Sequence, residues 1–159
     1  LIRAFAKIAV NFSEWRLVLA GNGEVEQAQQ LAKDLGVEHQ VVFAGWVTGS
    51  KKDRLFRDAS VFCLSSYAEG FPMAVLDAWS YGIPVVSTPV GGLPDVLKDG
   101  ENALLFQPGD VDMLANRFKQ VLSDATFRKQ LSAASLALSK GLFSPQTINS
   151  QIESLYESV

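Results

Sequence analysis

The chain has 159 residues, of which 48% are apolar and 19% charged, and its formal net charge is −3. This length and composition predict one compact globular domain with ample material for a core. The slightly negative charge argues against nucleic acid as a partner, since binding phosphates needs a basic face. No run approaches the roughly 18 apolar residues of a membrane-spanning helix.

Apolar spacing and glycine turns predict helices and strands in alternation along the chain. The predicted helices cover residues 1–15, 24–36, 51–60, 73–82, 111–123, 125–139 and 145–158. The predicted strands, with the turns that end some of them, cover residues 16–23, 39–47, 61–66, 83–89 and 103–106. Apolar strands that alternate with helices indicate a parallel sheet. We therefore predict a doubly wound α/β domain whose mainly parallel sheet has helices on both faces.

The single cysteine and the single histidine do not predict a reactive or metal-binding site. Cys63 lies in a predicted buried strand, where a small apolar filler is a better interpretation than a nucleophile. A lone cysteine cannot form an internal disulfide, which fits a reducing compartment such as the cytoplasm. His39 has no ligand cluster around it at metal-binding spacing. We interpret it as a turn residue and predict no metal.

Ligands of doubly wound sheets bind beyond the carboxyl ends of the strands. In this chain those ends are residues 20–23, 44–47, 65–70 and 87–92, and each contains Gly, Ser or Thr. This edge of the sheet is therefore the place where we expect a binding site.

The first of these strand ends has a glycine turn with Gly21 and Gly23. The dinucleotide fingerprint needs a third glycine where this chain has Glu26, so the turn does not favour NAD or FAD. Two interpretations stay open. The turn admits a phosphate or a ribose to the backbone, or it is a plain strand-to-helix turn.

Glu69-Gly70-Phe71-Pro72 comes directly before the predicted helix 73–82. Gly70 permits a tight turn, Pro72 suits the first helical position, and the free N–H groups of a first turn form an anion site. Asp77 lies about 12 Å further along a helical path. The two carboxylates can therefore contact a sugar and a ribose, with a diphosphate between them. Alternatively, Glu69 only complements the helix dipole and Asp77 is merely exposed.

The segment AEGFPMAVLDAWSYGIPVVSTPVGGLPDVL resembles the donor-binding half of the retaining GT-B glycosyltransferases of family 4. That family has a glutamate, seven residues and a second glutamate, followed by G-x-P-V-[IV] and a GG-x-x-E loop. The resemblance covers essentially the whole chain, with two departures. Asp77 stands at the second glutamate and Asp95 at the glutamate of the loop. Both keep a carboxylate, so donor binding is expected.

The resemblance implies a role for individual residues. It assigns Glu69 as the catalytic carboxylate that contacts the hydroxyls of the transferred sugar, and Asp77 as the carboxylate that binds the ribose. It places Gly45 and Trp46 at the base, Gly70 and Phe71 beside the sugar and diphosphate, and two glycine turns near the donor. The full donor-binding set is Gly21, Gly23, Gly45, Trp46, Ser66, Gly70, Phe71, Pro72, Met73, Ala74, Asp77, Gly91 and Gly92.

The resemblance also implies parts that this sequence does not show. In the family, a strand and then an arginine and a lysine that neutralise the leaving diphosphate precede the first helix. Lys7, Lys51 and Lys52 do not occupy that motif. We expect residues 1–159 to be a fragment without this strand and without an N-terminal acceptor domain, so that the sheet is gapped or repaired. The opening at Leu1 does not predict a signal peptide.

For the whole enzyme, the resemblance implies transfer of a hexose from a nucleotide diphosphate sugar to a sugar or lipid-linked acceptor, with retained anomeric configuration. It implies no cofactor and no metal, a role in polysaccharide biosynthesis, and a cytoplasmic location with peripheral membrane association. The alternatives are a non-catalytic module that binds nucleotide or protein, and a GT-B epimerase. An ordinary dehydrogenase is disfavoured by Glu26.

Overall fold

The computed structural model describes residues 1–157, in which strands and helices alternate as far as the last strand and three helices follow it. The strands are β1 (Leu17–Ala20), β2 (Val41–Gly45), β3 (Phe62–Leu64), β4 (Val85–Ser87) and β5 (Leu104–Leu105). The helices are α1 (Ile2–Ala6), α2 (Val25–Asp34), α3 (Gly49–Asp58), α4 (Met73–Ser80), α5 (Val111–Ser123), α6 (Ala125–Lys140) and α7 (Pro145–Glu157). Short 3-10 turns occupy Ala9–Asn11, Glu38–Gln40 and Leu93–Asp95.

All strand pairs are parallel, as predicted, and they form two sheets. β1 pairs with β2 in one sheet, while β4 pairs with β3 on one side and β5 on the other. Among the described residues no ladder joins β1 to β3. This division corresponds to a gapped sheet, which is one of the two expectations drawn from the resemblance; the other was a repaired sheet. That the chain lacks a strand stays a prediction.

Consecutive residues of β4 point into two different hydrophobic cores. Val86 belongs to a core with Phe5 of α1 and Leu114 of α5. Val85 belongs to a second core with Trp79 of α4. Because successive side chains of a strand point to opposite faces, helices cover both faces of β4. This arrangement confirms the predicted doubly wound α/β class.

The helical cover is complete over β4 and incomplete over the β1–β2 sheet. All three residues of β4 are buried, whereas Val18 is 45% and Val42 39% exposed. Helix α3, which follows β2, has no buried residue. The uninterrupted apolar sequence of β1 therefore does not correspond to complete burial.

The first helix is shorter than its apolar spacing predicted. α1 ends at Ala6, and the next hydrogen bonds run from Ile8 N to Phe5 O and from Asn11 N to Ile8 O, as in a 3-10 turn. Val10 and Asn11 are weaker helix formers than Ala4 and Ala6 of α1. The tighter turn still buries Ile8 completely.

The ends of the remaining helices agree with the predictions to within a few residues. Gly36 and Gly82, with φ of 68° and 67°, follow α2 and α4 as predicted. The final predicted helix corresponds to α7, and its last residue, 158, lies outside the described residues. No helix within residues 1–157 combines the length and the apolar character needed to cross a membrane.

Candidate functional site

Glu69 lies on the exposed loop between β3 and α4, and its carboxylate is held by a neighbour. The Ser66 hydroxyl donates to Glu69 Oε1 at 2.7 Å. The backbone oxygen of Ser66 accepts from Thr88 Oγ1, also at 2.7 Å, and Thr88 is fully buried after β4. A chain of hydrogen bonds therefore connects an exposed carboxylate to the core, which fixes its position at the surface.

The loop with Gly91 and Gly92 lies against the loop with Glu69 and Gly70. The amide of Gly92 donates to the oxygen of Gly70 at 2.8 Å. A Cβ added to Gly91 would lie 2.0 Å from that oxygen and 2.5 Å from the oxygen of Glu69, and Gly91 has a φ of +62°. Only glycine permits this approach. The structure thus brings four residues of the predicted donor-binding set close to Glu69. They are Ser66, Gly70, Gly91 and Gly92.

The ring of Phe71 packs inward from this loop. Its centroid lies 6.4 Å from that of Trp79 and 5.4 Å from that of Phe143. A Cβ at Gly92 would come within 2.7 Å of the Phe71 ring. Phe71 therefore anchors the loop to the second core.

The first turn of α4 begins one residue later than Pro72. Pro72 has a ψ of 110°, which is extended backbone, and its oxygen accepts the first bond from Val75 N at 3.0 Å. Pro72 is therefore the N-cap rather than the first helical residue. The amides of Met73 and Ala74 have no hydrogen-bond partner among residues 1–157. Unpaired amides at a helix N-terminus attract an anion.

A second group of predicted residues lies at the carboxyl ends of β1 and β2. The amide of Gly21 donates to the oxygen of Gly45 at 2.8 Å. Gly21, Gly23 and Gly45 line a cleft of about 790 Å³, together with Arg3 of α1. This volume is within the range of ligand pockets, roughly 300–1,000 Å³. Trp46 is 72% exposed beside Gly45 and free to stack.

Asp77 lies in the second turn of α4 and is paired with a lysine that sequence reasoning missed. Lys52 Nζ is 2.6 Å from Asp77 Oδ2. Lys52 stands on α3, in the helix that follows the turn at Trp46. Sequence spacing within one helix carries no signal for a contact between two helices. The one indication in the sequence that Lys52 belongs near the site was its position shortly after the carboxyl end of β2.

Three other residues considered in the sequence lie outside the contacts described above. Burial raises the pKa of the Cys63 thiol to about 12, so the thiol stays protonated at neutral pH and behaves as a filler. His39 is exposed in the 3-10 turn before β2. Asp95 is exposed at the end of the 3-10 turn that follows Gly92.

Comparison with known protein families gives one match over most of the chain. The family described as glycosyl transferases group 1 matches residues 1–136. The uncharacterized glycosyltransferase MJ1607 of Methanocaldococcus jannaschii is 37% identical over 132 residues, which are 82% of this chain and 34% of that protein. The lipopolysaccharide 1,6-galactosyltransferase of Salmonella typhimurium is 33% identical over 123 residues, 75% of this chain and 34% of that protein.

A solved structure matches the whole chain. Anabaena HepE in complex with UDP superposes with a TM-score of 0.90 and 25% identity, over 100% of this chain and 44% of that chain. Its complex with UDP-glucose superposes with a TM-score of 0.83, 26% identity and the same coverage. The present chain thus spans about a third of the length of its curated relatives and less than half of HepE.

Proposed function

The chain belongs to the glycosyl transferases group 1 family, and from this membership we propose that it is the donor-binding domain of a retaining glycosyltransferase. Its ligand is a nucleotide diphosphate sugar. The whole protein transfers a hexose from this donor to a sugar or lipid-linked acceptor. It works in the cytoplasm, in polysaccharide biosynthesis and in peripheral contact with a membrane.

The observation that carries this proposal is the position of Glu69 at the N-terminus of α4. The Ser66 hydroxyl holds the carboxylate, and the Gly91–Gly92 loop supports the backbone behind it. A carboxylate accepts hydrogen bonds from sugar hydroxyls. The unpaired amides of Met73 and Ala74 lie a few residues away, where they suit a diphosphate. The Glu69 carboxylate therefore suits the sugar, and the nearby amides of Met73 and Ala74 suit its diphosphate leaving group.

The chemistry of these residues is orientation and charge stabilisation. Hydrogen-bond donors that are fixed in place before the reaction stabilise the negative charge that develops on a leaving group. The first amides of α4 and the helix dipole provide this stabilisation for a diphosphate. Glu69 orients the hexose by accepting from its hydroxyls. Asp77 binds the ribose. The proposed reaction needs no metal and no cofactor.

The named relatives support the donor class. HepE was solved in complex with UDP and with UDP-glucose, and the Salmonella relative is a galactosyltransferase. Glucose and galactose are hexoses, and UDP is a nucleoside diphosphate. The similarity of fold and sequence therefore favours a nucleotide diphosphate hexose as the ligand of this chain.

Titration of the chain with UDP, GDP, ADP and NAD tests the proposal. We expect one diphosphate to bind with a dissociation constant on the order of 0.1–10 mM, near −4 kcal/mol, and NAD not to bind. A chelator should not change the affinity. Amide shifts should concentrate at residues 20–23, 44–47, 66–77 and 88–92. Failure of all three diphosphates to bind, or shifts centred elsewhere, would contradict the proposal.

Replacing Glu69→Gln tests the catalytic assignment in the enzyme that carries its acceptor domain. Glutamine keeps the shape and the hydrogen bond from Ser66 but removes the charge. We expect turnover to fall at least about tenfold, which corresponds to 1.4 kcal/mol, while UDP affinity stays unchanged. Glu14→Gln, at an exposed position far along the chain from the loop, is the control. Equal turnover of wild type and Glu69→Gln would make Glu69 only a helix-end residue.

A further inference from the structure

An ion pair joins the two helices that follow the two parts of the candidate site. Lys52 is the fourth residue of α3, which begins four residues after Gly45 at the end of β2. Asp77 is the fifth residue of α4, which begins after the Glu69 loop. The atoms Lys52 Nζ and Asp77 Oδ2 lie 2.6 Å apart. The pair therefore joins the two helices that follow the predicted base end and the predicted sugar end of the site.

Both side chains of the pair are accessible to a ligand. The exposed fraction is 44% for Lys52 and 33% for Asp77. The ammonium also lies 5.8 Å from the centroid of the Phe56 ring, which supports it from the side of α3. An ion pair with this exposure contributes at most about 1 kcal/mol to stability, so stability alone does not account for the arrangement.

Two other contacts already hold α3 against α4. The Tyr81 hydroxyl donates to a carboxylate oxygen of Asp53. The rings of Phe56 and Tyr81 stack with centroids 5.6 Å apart. Because these contacts hold the two helices together, the loss of Lys52 should leave the fold in place.

The pair offers a donor and an acceptor to the same ligand. An ammonium has three donors, and the ion pair with Asp77 leaves at least two of them for a ligand. Among residues 1–157, no residue other than Lys52 pairs with the Asp77 carboxylate. A vicinal diol presents hydroxyls that both donate and accept. A carboxylate alone can satisfy only the donating side, whereas the pair satisfies both.

On the basis of the proposed function, we propose that Lys52 is a ribose-binding residue and forms, with Asp77, the subsite for the ribose hydroxyls of the donor. Lys52 donates to one hydroxyl and Asp77 accepts from the other. The lysine reaches the ligand from α3 and supplements the aspartate, which is one methylene shorter than the glutamate of the resembled motif.

Deoxyribose analogues test this proposal by calorimetry. The probe is whichever of UDP, GDP and ADP binds wild type most tightly, together with its 2′-deoxy and 3′-deoxy forms. For wild type we expect at least one deoxy form to bind roughly tenfold more weakly, as for hydrogen bonds to charged groups. The ratio of the deoxy form's dissociation constant to that of the parent diphosphate should fall below about threefold in Lys52→Met and Lys52→Gln. Lys52→Arg should largely restore this ratio.

Lys51→Met is the matched control, because it removes one positive charge from the adjacent exposed position. It should keep the wild-type ratio. Melting temperatures should be equal across the series, which separates a binding role from a structural one. The inference is wrong if the Lys52 variants keep the full ratio, if Lys51→Met loses it equally, or if wild type shows no ratio. If wild type binds none of the three diphosphates, the proposed function fails as well.

Discussion

Gly91 lies where an added Cβ would stand 2.0 Å from the oxygen of Gly70 and 2.5 Å from the oxygen of Glu69. Both neighbours are backbone atoms, which cannot rotate away as a side chain would. The residue type at this position is therefore fixed by the loop that carries Glu69. Gly100 provides a comparison, because it shares the left-handed backbone, with a φ of +76°, but has nothing within 4 Å of its added Cβ.

This difference predicts different costs for two alanine substitutions. Gly100→Ala should lower the free energy of unfolding by roughly 1–2 kcal/mol, the cost of a left-handed alanine. Gly91→Ala should lose about 1–3 kcal/mol more, because the backbone must also move, and it should weaken binding of whichever nucleoside diphosphate wild type binds most tightly. Urea unfolding and calorimetry measure both quantities. Equal losses for the two variants would show that the two loops do not approach as described.

At the scale of elements, a hydrogen bond from Tyr81 to Asp53 is one of the contacts between α3 and the end of α4. This bond, together with Arg57, lowers the pKa of the Asp53 carboxyl below its ordinary value of 3.8. Asp53 in turn raises the pKa of the Tyr81 hydroxyl above 10.0. The lowered carboxyl pKa stabilises the fold above pH 3.8, and the raised phenol pKa stabilises it below pH 10.0. The contribution is lost beyond each limit, as pH passes the folded-state pKa.

Tyr81→Phe should therefore destabilise the chain in a pH-dependent way. Phenylalanine keeps the stack on Phe56 and removes only the hydroxyl. We expect a lower urea midpoint than wild type at pH 7, and a difference that shrinks as pH falls below 3.8 or rises above 10.0. Tyr156→Phe, at an 81% exposed position, is the control. A difference that is constant with pH would contradict the hydrogen bond to the carboxylate.

Most elements could be predicted from the sequence, because periodicity and glycine punctuation report local conformation. α5 has the predicted bounds, and Gly36 and Gly82 end their helices as expected. The end of α1 could not be predicted, since the spacing of Ile8 suits both an α-helix and a 3-10 turn. The partner of Asp77 was missed for a different reason. Lys52 contacts it across two helices, and only the packed structure places them together.

At the scale of the whole molecule, Val85 and Val86 point into two cores that share one strand. The candidate site lies at the ends of strands that these cores support, so binding residues rest on packed elements on either side. The chain covers 34% of its curated relatives. We propose that an acceptor site belongs to the rest of such a protein.

The 159-residue chain alone should therefore bind a donor without transferring sugar. Holding two substrates together supplies much of the rate of a transfer reaction, and on this proposal the chain binds only one of them. Incubation with a radiolabelled nucleotide sugar and candidate acceptors should give no glycosylated product. The same protein sample must bind a nucleoside diphosphate, so that misfolding does not explain the result. Measurable transfer by this chain would show that the acceptor site is within residues 1–159.

The aromatic packing behind the Glu69 loop makes intrinsic tryptophan fluorescence a reporter of the candidate site. Trp79 is fully buried, and its indole Nε1 has no hydrogen-bond partner among the described residues. Its ring lies 5.1 Å from that of Phe143 and 6.4 Å from that of Phe71, which belongs to the loop itself. Trp46, in contrast, is largely exposed at the other end of the site. Trp79 and Trp46 therefore emit from different surroundings. In a Trp15→Phe variant, which removes the third indole of the chain, fluorescence can follow both ends of the proposed site without an added label.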